Sequence, residues 1–396
     1  MRIGRWTRLL LVGVPLLAGC KGFWNPIGNS SSGGTGATGS VFYVLNQQTS
    51  QLVAYSIVKG TLTPLNGSPY TLASGPYAIA VAPNNAFLYV STATGIYLYT
   101  IGTGGVPALA SSTPISSDNA AEALQVDSTD SWLLDASGAG YLYAIPINPA
   151  NGALVTTSTV QQVALGSTAV QKMAISPDNK YVFVALGSSG TAVVPFTAAS
   201  ADPLPTTVST VIGVKGTGGA AVSVAVDPSA TPRLFYIGEV AVTAGTSNTG
   251  GLRAFNYSSL SSGTPAEVSG SPYTSGGLAP YSILPTPYST TPGAYIYVAN
   301  RSVSNSTTGN ISGFALTSTG TTYSLTALPT TASAGTYPVS LAQDATGNYV
   351  LVVNSGGGPD LEAYTFDSTT AGKLDSAFTS TTGTDPVSAI AIAAAP

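Results

Sequence analysis

The sequence predicts an all-β protein, a seven-bladed β-propeller of four-stranded antiparallel blades whose first blade is closed by the C-terminal strand. Three observations carry this. A short strand–turn–strand unit recurs along the chain, its turns are marked by Pro, Asn and Asp, and the two chain ends match different strands of one unit.

The clearest copy of the unit runs over residues 76–101. Pro76-Tyr77-Ala78-Ile79-Ala80-Val81-Ala82 reads as a strand, Pro83-Asn84-Asn85 as a tight turn, and residues 86–91 and 95–101 as two β-branched and aromatic strands. The first strand returns with starts at Ala121, Val170, Ala221, Pro280, Pro338 and Pro386, so seven copies lie 45 to 59 residues apart. The second strand returns at Trp132-Leu133-Leu134, Tyr181-Val182-Phe183, Leu234-Phe235-Tyr236, Tyr295-Ile296-Tyr297 and Tyr349-Val350-Leu351. Third strands fall at residues 141–145, 252–257, 311–316 and 361–366, and a weaker fourth precedes each new start. Four short strands in a period of about 50 residues suit a propeller, because a β-helix has shorter coils and a sandwich needs no such period.

The ends test this independently. The domain begins on Val41-Phe42-Tyr43-Val44-Leu45-Asn46, which matches strand two, and continues on residues 51–57, which match strand three. It ends on Ala389-Ile390-Ala391-Ile392, which matches strand one. The C-terminal strand is therefore expected innermost in the blade that the first residues begin, so that no sheet edge is orphaned.

Composition narrows the chemistry. Of 396 residues only 7% are charged, against the usual quarter or so, while 44% are apolar and 45 are Gly. A formal charge of −4 with 12 basic residues argues against nucleic acid or an anionic membrane surface as partner. There is no His and one Cys, which removes His general-base chemistry, His-ligated zinc and any internal disulfide. Any reaction would rest on Asp, Glu, Tyr, Lys or Arg. No cofactor motif is present, and no metal site is expected.

At the amino terminus Arg2, Arg5 and Arg8 precede a short apolar run that closes on Ala18-Gly19-Cys20, the pattern of a secretory signal. Leu17-Ala18-Gly19-Cys20 resembles a bacterial lipobox. That resemblance implies residues 1–19 as a lipoprotein signal peptide, an acylated Cys20 seated in a lipid bilayer, and a bacterial cell-envelope location. Lys21 after the cysteine leans towards the outer membrane or cell surface. Residues 20–40, rich in Ser and Gly, read as a tether, and residues 41–396 as the propeller. Without the signal the chain has 9 basic against 16 acidic residues.

The unit Pro-x-x-Ile-Ala-Val-x-Pro-Asn, the strand Tyr297-Val298-Ala299-Asn300 and the repeated Gly-Ser-Pro-Tyr at residues 67–70 and 270–273 resemble the seven-bladed lactonase-like propellers, which include the propeller-type 6-phosphogluconolactonases. The resemblance covers roughly residues 41–396. It implies the fold and a sugar-lactone hydrolase as one function. Family lactonases are expected to use His at the tunnel mouth, which this chain lacks, so no catalytic residue carries over.

Propeller ligands commonly meet the loops that enter strand one and leave strand two. On that geometry the candidates are Tyr77, Glu122, Lys172, Glu239, Tyr281, Arg301 and Tyr337. Glu122 and Lys172 stand out because other copies carry Ala, Val, Ser or Tyr there. A hydrolase would use Glu122 to activate water and Lys172 or Arg301 to stabilise an oxyanion; the plainer reading is solvated charge at the rim. Asp127, Asp130, Asp178 and Asp227 follow strand one and read as turn caps, with a calcium site from Asp127 and Asp130 as the alternative. The 21 Tyr fall mainly at alternate strand positions, where packing between blades explains them. The sequence thus supports a monomeric envelope propeller that binds a polar small molecule, envelope protein or glycan at the tunnel mouth, or else a lactonase-like hydrolase.

Overall fold

Seven antiparallel sheets follow one another along the chain, and the last strand in sequence pairs with the first. The computed structural model describes residues 39–118, 120–156, 160–208, 210–229, 231–242, 250–258, 260, 264–287, 294–303, 306–380 and 388–396. Cys20, the signal segment, nearly all of the tether and the Pro386 start lie outside them.

Blade I consists of Ala389–Ala394, Ser40–Asn46, Gln51–Val58 and Thr61–Pro64 from the axis outwards. Val44 faces Ile392 and Tyr43 faces Ala393, which is the closure expected from the chain ends. Blade II is Pro76–Val81, Phe87–Thr92, Gly95–Ile101 and Pro107–Leu109; blade III is Ala121–Val126, Trp132–Ser137, Tyr141–Pro146 and Gln161–Ala164. Blade IV begins on Lys172–Ile175, blade V on Ala221–Val226, blade VI on Leu278–Pro285 and blade VII on Pro338–Gln343, each with three further strands outside it. Inner strands touch their neighbours in ring order, and that of blade VII packs against Ala389–Ala394 to close the circle.

Each blade is covered on both faces, so its second strand is mostly apolar and its burial does not alternate. Phe87–Thr92 and Trp132–Ser137 are buried at every position. The core is accordingly divided among the seven junctions, with one hydrophobic cluster shared by each adjacent pair of blades. Burial of this apolar surface at every junction is the main force that holds the ring together.

Tyrosine adds direction to that packing. The hydroxyls of Tyr43, Tyr89 and Tyr297, at matching places in strand two, donate to the carbonyls of Gly105, Gly152 and Gly372 in the next blade at 2.7, 2.8 and 2.8 Å. Gly152 is required there: its φ is +72°, and a Cβ would stand 2.5 Å from the Phe87 ring. The repeated Gly-Ser-Pro-Tyr is a clamp within a blade. Ser68 and Ser271 accept the amide N–H groups of Ala54 and Ala254, while the Tyr70 and Tyr273 hydroxyls close back onto Asn66 and Ser269.

The ring has two different ends. At one, the chain enters strand one and leaves strand two. At the other lie the tight turns between strands one and two. A channel cavity of about 390 Å3 lies towards the turn end, walled by apolar inner-strand residues of all seven blades, among them Ile79, Leu124, Met173, Val224, Leu341 and Ile392.

Candidate functional site

Arg301 follows Asn300 near the end of strand two of blade VI, Ala294–Ser302. Its guanidinium lies 5.0 Å from the centre of the Tyr281 ring and 4.8 Å from that of Tyr337. Two irregularities bring the rings there. The register slips between Pro280 and Ser282, which frees Tyr281 from the ladder. Tyr337 takes φ +56°, a left-handed conformation uncommon for a bulky residue. Its backbone is held by the Thr307 carbonyl at 3.2 Å and by the Ser355 amide at 2.9 Å.

Beneath Arg301, Asn300 is fully buried and donates to the Ser275 carbonyl at 2.8 Å and the Asn310 Oδ1 at 2.9 Å. The base of the clamp is thereby fixed. Three candidates, Arg301, Tyr281 and Tyr337, are thus gathered from two blades into one cation–π stack. No carboxylate pairs with Arg301 among the described residues. A planar guanidinium stiffened by two rings and free of acid presents its N–H donors to an incoming anion.

The other candidates stand separately. Lys172 opens the inner strand of blade IV and makes no ion pair among the described residues; burial pushes its ammonium below the usual lysine range. Glu122 stands at an exposed rim position of blade III, where partial desolvation and then the Asp118 charge raise its carboxyl. Tyr77 is half-buried beside Pro76. Glu122, Lys172 and Arg301 form no ion pair with one another.

Glu239 is only 1% exposed and belongs to a different assembly. It accepts from Arg253 at 2.7 Å and from the Lys215 amide at 2.8 Å, and Arg253 also reaches Glu267 at 2.9 Å. With the Lys215 ammonium 3.3 Å from Glu267, four charged side chains so interlocked hold the end of blade V together. Sequence reasoning missed Arg253. The signal was a single cation in the run Gly251-Leu252-Arg253-Ala254-Phe255, which is buried at all five positions.

Among the described residues no group of three or more His, Cys, Asp or Glu side chains is placed to hold a metal. At Asp127 the oxygens are occupied by N–H donors from Thr129, Ser131, Trp132 and Asn179. Asp130 accepts the Asn84 amide of blade II at 3.1 Å, a bond between blades.

No protein-family model matches the chain, and no curated protein matches it. Several solved structures share its fold. A candidate 6-phosphogluconolactonase from Bacteroides fragilis superposes with a TM-score of 0.66 at 14% identity, over 92% of this chain and 100% of that one. A protein from Lactobacillus plantarum gives 0.62 at 19%, over 90% and 99%. Hydrazine synthase from Kuenenia stuttgartiensis gives 0.53 at 14%, over 85% and 98%. At these identities the likeness is one of fold, and by fold the chain is a seven-bladed propeller similar to the lactonase-like ones.

Proposed function

We propose that this propeller is a binding module of the cell envelope, carried on an acylated Cys20 and its tether, that takes an anionic group of a polar ligand at the entrance end. One observation supports this above the others: Arg301 is held between Tyr281 and Tyr337 with no acid among the described residues to neutralise it. A cation without a partner in a half-buried place favours whatever anion supplies one, and a carboxylate or phosphate matches its fork of donors. Lys172, which also makes no ion pair among the described residues, stands at the same end.

Isothermal titration with 6-phosphogluconate and with inorganic phosphate tests the reading. Saturable binding that weakens at least tenfold in Arg301→Ala, with the fold intact by circular dichroism, is the expected result. Equal affinity in both proteins, or no binding, overturns it. Fractionation of cells that express Cys20→Ala tests the anchor: the variant should leave the membrane fraction.

The alternative reading is a lactonase-like hydrolase acting on sugar lactones, supported by the likeness in fold to the Bacteroides fragilis protein. It requires Glu122 to activate water and Lys172 or Arg301 to stabilise the oxyanion. Hydrolysis of 6-phosphogluconolactone above the spontaneous rate, abolished in Glu122→Gln, would establish it over simple binding.

A further inference from the structure

Blade III departs from the others at one buried position. In strand two, the residue facing the large apolar side chain of the inner strand is Val44, Val90, Val184, Ile237, Val298 or Val352 in the other six blades. In blade III it is Asp135, which faces Leu124. Asp135 is 0% exposed, and no donor reaches either of its carboxyl oxygens among the described residues. The polar group that meets it is the Asp118 carboxyl, from the loop entering the blade. Asp118 spends Oδ1 on the Ala120 amide at 2.9 Å and leaves Oδ2 buried without a partner among the described residues.

Asp118 and Asp135 both line a cavity of about 530 Å3 between blades II and III. Ile115, Ile145 and Val160 form apolar walls, Tyr143 closes one side, and Ser117 and Thr156 stand at an exposed rim. A lone buried carboxylate is among the costliest groups a core can hold. Six blades avoid that cost with Val or Ile at the same place. Local departures of this kind concentrate where a ligand is bound.

We infer that this cavity binds the ammonium group of a small organic cation between Asp118 and Asp135. An ammonium carries three N–H donors, and three buried oxygens lack one. The apolar walls suit the methylenes that follow the nitrogen. A divalent metal fits less well, since calcium takes about six to eight oxygen ligands and only two carboxylates converge here. With no donor between them, the two acids can bond to each other only if they share a proton. Burial and then Asp118 drive the Asp135 carboxyl well above the ordinary carboxylate range. The titratable groups nearby are Tyr143 on the next strand, Tyr141 beyond it, and Glu122 beside Asp118. Arrival of the cation displaces the shared proton.

Titration calorimetry of the full-length protein with n-butylammonium chloride at about pH 6, in buffers of different ionisation heat, tests this. The wild-type protein should bind saturably and release up to about one proton per ligand. Tetramethylammonium, of equal charge but without N–H, should bind at least tenfold more weakly. Asp135→Asn should lose at least tenfold in affinity together with the proton release. Asp135→Val, which restores the aliphatic residue of the other blades, should fold and not bind. Equal binding of both cations, binding that survives in Asp135→Val, absence of binding, or saturation by calcium chloride alone each overturns the inference. Arg301→Ala should leave this binding unchanged, which keeps it distinct from the entrance clamp.

Discussion

Asp127 and Asp135 belong to one hairpin of blade III, both are 0% exposed, and their surroundings are opposite. Asp127 accepts the amides of Trp132 at 2.7 Å, Ser131 at 2.8 Å and Thr129 at 2.9 Å, and the Asn179 side chain of blade IV at 3.0 Å. Asp135 has no donor among the described residues. The difference follows from the backbone. In a tight turn several N–H groups have no ladder partner, so a carboxylate there meets donors that need an acceptor. In the middle of a central strand every N–H is already spent on the neighbouring strand, and a carboxylate arrives to find none. Asp344 repeats the turn solution in blade VII, with the Tyr349 amide at 2.6 Å and the Ser40 hydroxyl at 2.7 Å.

The largest effect is expected at the satisfied member of the pair. Asp127→Ala would strand three amides and the Asn179 side chain, each losing a charged acceptor, and should cost about 5 kcal/mol in urea denaturation. A loss below about 1 kcal/mol would mean that water replaces the carboxylate, and the contrast between turn and strand would fail.

Asp227 lies between the two extremes. It sits in the turn of blade V and accepts the Ser229 amide at 2.9 Å, but its Oδ2 has no partner among the described residues. Burial pushes its carboxyl up to about 7 from an ordinary 3.8, against the pull of Ser229. A carboxyl raised on folding stabilises fully below its unfolded pKa, and the contribution is lost as pH rises through the folded value. From pH 4 to pH 8 the wild-type protein should therefore lose on the order of 4 kcal/mol relative to Asp227→Asn. Parallel stability profiles for the two proteins would refute this. At Asp135 the opposite substitution to Asp127→Ala is informative: Asp135→Val should raise stability by about 2 kcal/mol, since it removes a buried carboxyl that no donor reaches among the described residues.

The same contrast explains what could be read before the structure. The blades were legible because two-sided burial writes long apolar second strands, and the turns between them need Pro, Asn and Asp. Blade I was legible from the mismatch of the two chain ends. Tyr281, Arg301 and Tyr337 were each placed at the entrance end by the repeat, but their stack joins two blades and depends on a register slip and a left-handed Tyr337. Neither leaves a mark in composition. Glu239 resembled a rim residue because its partners, Arg253 and Glu267, are distant in sequence. Asp135 comes directly after Trp132-Leu133-Leu134, and nothing in the sequence there sets it apart; only alignment of the blades by ladder register sets it against six aliphatic residues.

The smallest effect asks whether the rule extends from charges to neutral hydroxyls. Tyr89 and Tyr236 hold the same place in strand two of blades II and V, and both are 0% exposed. The Tyr89 hydroxyl donates to the Gly152 carbonyl of the next blade at 2.8 Å, whereas that of Tyr236 has no partner among the described residues. Removal of an oxygen that makes a bond between blades exposes an unpaired carbonyl; removal of one that makes none leaves the ring packing as it was. Tyr89→Phe should thus cost about 1 kcal/mol, and Tyr236→Phe should be neutral or slightly stabilising. Urea midpoints for the two variants measure the difference directly. Equal losses would mean that the phenol of Tyr236 is bonded to water in solution, and that burial alone does not separate the satisfied junctions of this ring from the unsatisfied ones.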